Sequence, residues 1–353
     1  MKTYRRWLAA VLAGWATLPA AAQQPATAPP PSSRAPAPAL APAPKLPPVK
    51  KTTAVAATVN GQPIPETAVL RGLRRVPPAN QAEARVEIVN YLVENALIEQ
   101  HLLQLRVAVD PKEVDKKIAE MKAEIAKQKL TYAQVLEDLA LTEAELGQHI
   151  AADLRWEKYA NSQATDAALQ KMFADNKDMF DGSMVHVRHI LLTPDLKDAK
   201  AVAVAKAQLA EIKKSVEAKA AAGLAKLPAN TSALDREKAR VKLVEDAFAE
   251  AAKAKSACPS KQRGGDVGWF DRAGPMVEPF ARAAFALKPF QVSDIVETQF
   301  GFHLLLLLER RAGKAVKFDE VKADVREVYC DRLRESLATQ LRARAKISVN
   351  TAH

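Results

Sequence analysis

Residues 300–308 read F-G-F-H-L-L-L-L-L. Five consecutive leucines show no polar alternation, so a strand built from them is buried on both faces. His303, at the mouth of the run, adds a second constraint. A titratable ring in such a strand costs free energy unless it is hydrogen-bonded. The arrangement recurs at V-R-H-I-L-L, where His189 stands before another apolar run. The two histidines, 114 residues apart, are expected on neighbouring strands, facing each other.

The surrounding elements are mixed. M-V-H-V-R-H-I-L-L-T reads as a strand ending at Thr193-Pro194. Ala/Lys-rich helices are expected over 198–218 and 235–254, with A-A-G-L-A-K-L-P-A-N-T-S as a loop between them. A glycine turn at Gly264 and Gly265 leads into a short strand. It lacks the G-K-[ST] of a phosphate loop and reads as a turn needing positive φ. P-F-A-R-A-A-F-A-L is a short helix, and S-D-I-V-E-T-Q-F-G-F-H is a hairpin with Gly301 near its turn. This order describes an α+β unit with a small, mostly antiparallel sheet.

The flanks differ in texture. M-K-T-Y-R-R, a 12-residue apolar run and P-A-A-A-Q form a signal peptide expected to be cleaved after Ala22. Residues 23–50 hold ten of the 22 prolines and read as an extended, polyproline-like spacer. At ~3.1 Å per residue it reaches roughly 80 Å. A-V-A-A-T-V-N-G is a strand closing in an N-G turn. From residue 64 to about 160, helical periodicity predicts four or more amphipathic helices. Val86, Val89, Val93, Ala96, Leu97 and Leu103 mark the apolar face of one, over 81–106. Asp110 and Pro111 open the next, with Glu113 placed to reach back, and Thr131/Gln134 and Thr142/Glu145 are capping-box pairs. His101 and His149 read as isolated exposed polar residues. A long amphipathic helix follows residue 318, and the tail K-I-S-V-N is expected to pair as a strand with A-T-V-N-G.

Composition narrows the function classes. The net charge of +11 falls to +8 once Lys2, Arg5 and Arg6 leave with the signal, and it is spread among acidic residues. Aromatics make up 5%, too few for base stacking, so no nucleic-acid partner is expected. Cys258 and Cys330 fall in different structural units, and no disulfide between them is expected. No zinc framework is present. A metal site built from His189, His303 and Cys258 is disfavoured, and no cofactor is expected.

Five blocks in order resemble a parvulin, a family of peptidyl-prolyl cis-trans isomerases: V-R-H-I-L-L, F-A-E-A-A-K, S-A-C-P-S-K-Q-R-G-G-D-V-G-W-F, M-V-E-P-F-A-R-A-A-F-A-L and V-E-T-Q-F-G-F-H. The flanks resemble exported foldases of the SurA and PrsA type. The resemblance implies an α+β parvulin domain (180–313) inserted in a mainly α-helical chaperone-like domain. That domain is built from an N-terminal segment (51–165) and a C-terminal helix and tail (314–353). It implies an isomerase and chaperone for unfolded or proline-containing exported polypeptides, placed in the periplasm, with no stable membrane insertion after signal cleavage. Met276, Phe280 and Val267 match the prolyl pocket, His189 and His303 the facing pair, and Thr298 the hydroxyl that orients one ring. Cys258 matches a position beside the substrate carbonyl, where an electrostatic role is favoured.

Three features depart from the family pattern. The loop after His189 balances Lys197 and Lys200 against Asp195 and Asp198, which gives no support to phosphoserine recognition. Phe300 replaces a small polar residue and makes the site more apolar. Residues 219–236 exceed a minimal parvulin and suggest a helical protrusion. The competing reading is a chaperone whose parvulin fold is catalytically silent; the retained pocket favours activity.

Overall fold

The computed structural model describes residues 48–350. The expected signal peptide (1–22) and residues 23–47 of the proline-rich spacer lie outside the described residues. The described chain forms two compact units, residues 48–170 with 325–350 and residues 171–324.

In the first unit, β1 (Val55–Val59) turns through Asn60 and Gly61 into β2 (Gln62–Pro65). Both turn residues have positive φ, 52° and 85°, the geometry of a two-residue hairpin turn. β2 was hidden in the sequence because Q-P-I-P carries two prolines. It survives as an edge strand, where a missing N–H costs little. β7 (Ile347–Val349) pairs antiparallel with the other side of β1, giving the order β2-β1-β7. The expected joining of the two distant segments is therefore present, with Val59 opposite Ile347.

Five helices fill the remainder of the N-terminal segment: α1 (Glu66–Leu73), α2 (Gln81–Gln104), α3 (Pro111–Lys127), α4 (Tyr132–Asp138) and α5 (Glu143–Gln163). Asp110 caps α3, accepting from Lys112 N at 2.9 Å. Glu113 does not reach back but lies 2.6 Å from Lys158 Nζ. Thr142 and Glu145 form a reciprocal capping box, whereas Thr131 caps α4 through the Gln134 amide without a return bond. Val89, Val93 and Leu97 are buried as expected, but Val86 and Leu103 are exposed. Periodicity identifies the apolar face of α2 but not how far its neighbours extend along it. His149 is exposed, and His101 is half-buried in the last turn of α2. The C-terminal α10 (Phe318–Arg342) returns to this unit, where Leu337 and Ala338 pack with Ile98 and Leu102. Arg334 and Arg342 donate to Asn95 and Asn90 of α2 at 2.6 and 2.8 Å.

The second unit begins in α6 (Asp166–Asp175), which carries the chain across the boundary. Its sheet comprises β3 (Met184–Leu192), β4 (Asp266–Asp271), β5 (Val296–Thr298) and β6 (Gly301–Arg311) in the order β4-β3-β6-β5, all neighbours antiparallel. The leucine run finds cover on both faces. Leu304, Leu306 and Leu308 pack with the helical hairpin α7 (Ala199–Ala225) and α8 (Ala233–Lys255). Leu305 and Leu307 pack with α9 (Glu278–Ala286). The segment expected to be a loop is helical through Ala225. Gly223 does not break α7 but lets α8 approach: a Cβ there would lie 2.6 Å from Leu243 Cδ2. Cys258 and Cys330 are free thiols. Among the described residues no helix is long and apolar enough to cross a membrane.

Candidate active site

The register of β3 and β6 sets Leu191 opposite His303 and His189 opposite Leu305, so the two histidines are diagonal neighbours on the α9 face. Both are buried. Their rings are nearly parallel, with centroids 5.5 Å apart and Nδ1 facing Nδ1 at 3.3 Å. His303 Nε2 lies 2.9 Å from Thr298 Oγ1, and His189 Nε2 lies 3.1 Å from Ser260 Oγ. The result is a four-member chain, Thr298–His303–His189–Ser260.

Its proton order follows from counting donors. Thr298 Oγ1 accepts from Phe300 N at 3.1 Å, which leaves its own proton to give. The Gly301 carbonyl at 3.5 Å is the poorer acceptor, so the proton goes to His303 Nε2. His303 then carries its hydrogen on Nδ1 and donates to His189 Nδ1; His189 donates from Nε2 to Ser260. Every ring nitrogen is satisfied with both rings neutral. Burial pushes the His189 pKa down to about 4. Burial, and then the neighbouring His189, push His303 down to about 3.

Phe280 stands edge-on to both imidazoles, 5.5 Å from His189 and 5.4 Å from His303. It projects from the first turns of α9, where Pro279 fits because a helix start has no partner for the missing N–H. Phe270, at 5.9 Å, backs it. Val267 and Met276 are half-buried against the same apolar cluster. Phe300 is 39% exposed at the turn between β5 and β6. Cys258 is half-buried at the start of a 3₁₀ turn, Pro259–Arg263. Among the described residues its thiol makes no hydrogen bond; its amide donates to Ser256 Oγ at 3.2 Å. The structure thus brings His189, His303, Thr298 and Phe280 into direct contact, with Val267 and Met276 in the adjoining cluster. Cys258 stands two residues before Ser260, and among the described residues it makes no hydrogen bond to either histidine.

Ser260 was not legible in the sequence, since a single hydroxyl in a loop carries no periodic signal. The glycine pair was legible, and its reason is local. Gly264 and Gly265 have φ of 67° and 82°, and a Cβ on Gly265 would lie 2.3 Å from the His189 carbonyl oxygen. Gly265 O accepts from His189 N at 2.8 Å, so the turn holds the histidine backbone. His186 lies on the opposite sheet face, with Asp266 Oδ1 at 2.8 Å and the Trp269 ring at 5.4 Å.

Residues 228–309 match the PPIC-type PPIase domain family, and residues 48–160 match the SurA-like N-terminal domain. The putative peptidyl-prolyl cis-trans isomerase Cbf2 of Campylobacter jejuni is 32% identical over 287 residues, 77% of this chain and 82% of the relative. The foldase protein PrsA of Bacillus subtilis is 40% identical over 94 residues, 26% of this chain and 31% of PrsA. A solved structure of PrsA from Bacillus anthracis is 23% identical, covering 74% of this chain and 99% of that one with a TM-score of 0.42. The long α7–α8 hairpin leaves β3 and His189 upstream of the matched isomerase segment, yet β3 pairs with both β4 and β6 inside it. On the family matches and the extent of likeness to Cbf2, the chain belongs to the PPIC-type, or parvulin, peptidyl-prolyl cis-trans isomerases, joined to a SurA-like N-terminal domain.

Proposed function

We propose that the isomerase works without a covalent intermediate, by offering an apolar socket that suits the twisted prolyl amide better than either planar isomer. Rotation about X-Pro is slow because amide resonance sets a barrier of ~18–20 kcal/mol. The twisted amide has lost the charge separation of the planar form, so a site of low polarity favours it. Each tenfold of rate needs about 1.4 kcal/mol of that preference. Val267, Met276 and Phe280 grip the proline ring, and Phe300 adds an apolar rim. His189 and His303 shape the floor as neutral rings, and Thr298 orients His303. Cys258 acts electrostatically beside the substrate carbonyl. The observation that carries this reading is Phe280 standing edge-on to two buried, uncharged imidazoles.

The clients are unfolded, exported, proline-containing polypeptides, and the working compartment is the periplasm. Residues 1–22 act as the export signal and 23–50 as a spacer. Residues 51–165 and 314–353 supply the chaperone surface, and 180–313 the isomerase. The SurA-like match over 48–160 supports the chaperone assignment.

The test is to time cis-trans conversion of an X-Pro peptide by the wild-type protein and by Phe280→Ala. The expected result is a fall in kcat/KM of about tenfold or more, or ~1.4 kcal/mol. Suppression of aggregation of an unfolded protein should persist in the variant. If wild type and variant both match the spontaneous rate, the domain is silent and the pocket reading fails.

A further inference from the structure

The guanidinium of Arg272 is buried beside the pocket with no part in the histidine chain; its side chain is 3% exposed. It forks onto Glu278, with Nη1 2.5 Å from Oε2 and Nη2 2.7 Å from Oε1. Its Nε lies 3.8 Å from Asp178 Oδ2. Such two-point pairing fixes direction as well as distance, and a lysine cannot reproduce it.

The placement of the pair matters more than its strength. Arg272 follows the end of β4, and Glu278 opens α9. Between them runs the 272–277 loop that carries Met276. Phe270 lies two residues before Arg272, Phe280 lies two residues after Glu278, and the two rings meet at 5.9 Å. The ion pair and the aromatic pair therefore close a ring around the loop. Gly274 tightens it further: its amide donates to the Asp271 carbonyl at 3.2 Å, and a Cβ there would lie 2.4 Å from Asp271 Oδ1. The loop has no regular structure of its own to set where Met276 sits.

We propose that Arg272 is a positioning residue of the prolyl pocket: forked onto Glu278, it fixes the 272–277 loop so that Met276 and Phe280 keep the spacing a prolyl ring requires. This rests on the reading of Met276 and Phe280 as pocket walls. The substrate does not touch Arg272. Loosening the clamp weakens the grip on the proline ring while the histidine chain stays in place.

The test uses Arg272→Lys, which keeps the charge and loses the fork, and Glu278→Asp, which retracts the carboxylate by one methylene. Three readouts are taken on the full chain: thermal unfolding, kcat and KM on an X-Pro peptide, and the ¹³C-methyl resonance of Met276, assigned with Met276→Leu. A displaced wall should raise KM by about tenfold with kcat within about threefold of wild type, because lost positioning acts on binding of the ring. The Met276 methyl should shift in both variants. A purely structural role would instead lower the active fraction, so kcat would fall with KM unchanged; that result overturns the proposal, as does an unmoved Met276 methyl in a folded variant. Should Arg272→Lys fail to fold, Glu278→Asp decides by the same criteria. Should Glu278→Asp also fail, Asp178→Asn decides, with a smaller rise in KM expected and no change counting against the clamp. If the wild type shows no isomerisation, the catalytic reading fails, while the methyl shift still reports on the clamp separately.

Discussion

Two imidazoles share one buried strand pair, and burial removes the water a cation would need. The folded protein holds His189 with a pKa of about 4 against an ordinary 6.5. Between those values the unfolded chain binds more protons than the folded one, so stability rises with pH there. It is present above about 6.5 and lost as pH falls towards 4. The full loss at His189 is roughly 3 kcal/mol, and His303 shifts in the same direction. Imidazole proton signals followed by NMR should show His189 neutral down to a midpoint near 4; a midpoint near 6.5 would contradict the neutral chain. At this scale the sequence was legible wherever a residue type had only one use in its setting. A histidine heading an apolar run needs a buried partner, and Thr298 five residues away supplies one. Ser260 was not legible, because its value lies in a contact 71 residues away on a strand it does not belong to. For Cys258 the hydrogen bonds place the backbone, and among the described residues none involves the thiol.

Elements were readable to the extent that their own periodicity decides them. The leucine run of β6 carries no alternation because α7 and α8 cover one face of the sheet and α9 the other. Adjacent leucines therefore serve different cores. Leu304→Ala and Leu305→Ala should each destabilise the inserted unit by about 2–5 kcal/mol, the range for a fully buried leucine. Urea unfolding followed by the signal of Trp269, which lies in β4 of the same sheet, measures both. In a sheet wet on one face, one of the two substitutions would cost almost nothing, and that outcome would refute two-sided burial. The loop expected near residue 223 failed for a related reason. Glycine usually marks a break, but here its missing side chain is what the neighbouring helix requires. Local propensity cannot distinguish a glycine that ends a helix from one that lets another helix approach.

At the scale of the whole molecule, the chain folds its first and last described segments into one unit, and three short strands make the join. β7 is only three residues long, but its neighbourhood is well tied. Asn60 N donates to Lys346 O at 2.8 Å, Asn350 N donates to Ala56 O at 2.9 Å, and Lys346 N donates to Asn60 Oδ1 at 2.9 Å. Ile347 packs against the core that holds Val59, Val93 and Leu97. The sequence hinted at this pairing through the similar texture of K-I-S-V-N and A-T-V-N-G, since each alone is too short to be stable. It could not indicate how the long α10 returns, because that depends on Asn90 and Asn95 receiving Arg342 and Arg334. Truncation after Arg344 removes β7 and the three hydrogen bonds made by Lys346 and Asn350, and keeps those of Arg334 and Arg342. With two or three bonds at ~1 kcal/mol each and the burial of Ile347 lost, the terminal unit should weaken by roughly 3–5 kcal/mol. Hydrogen exchange locates the effect. The Asn60 amide should lose protection in the truncated chain, while amides of β3 and β6 in the inserted unit keep theirs. Equal loss of protection in both sheets would mean that the two units fold as one cooperative body, and an unchanged Asn60 would mean that β7 contributes nothing to the join.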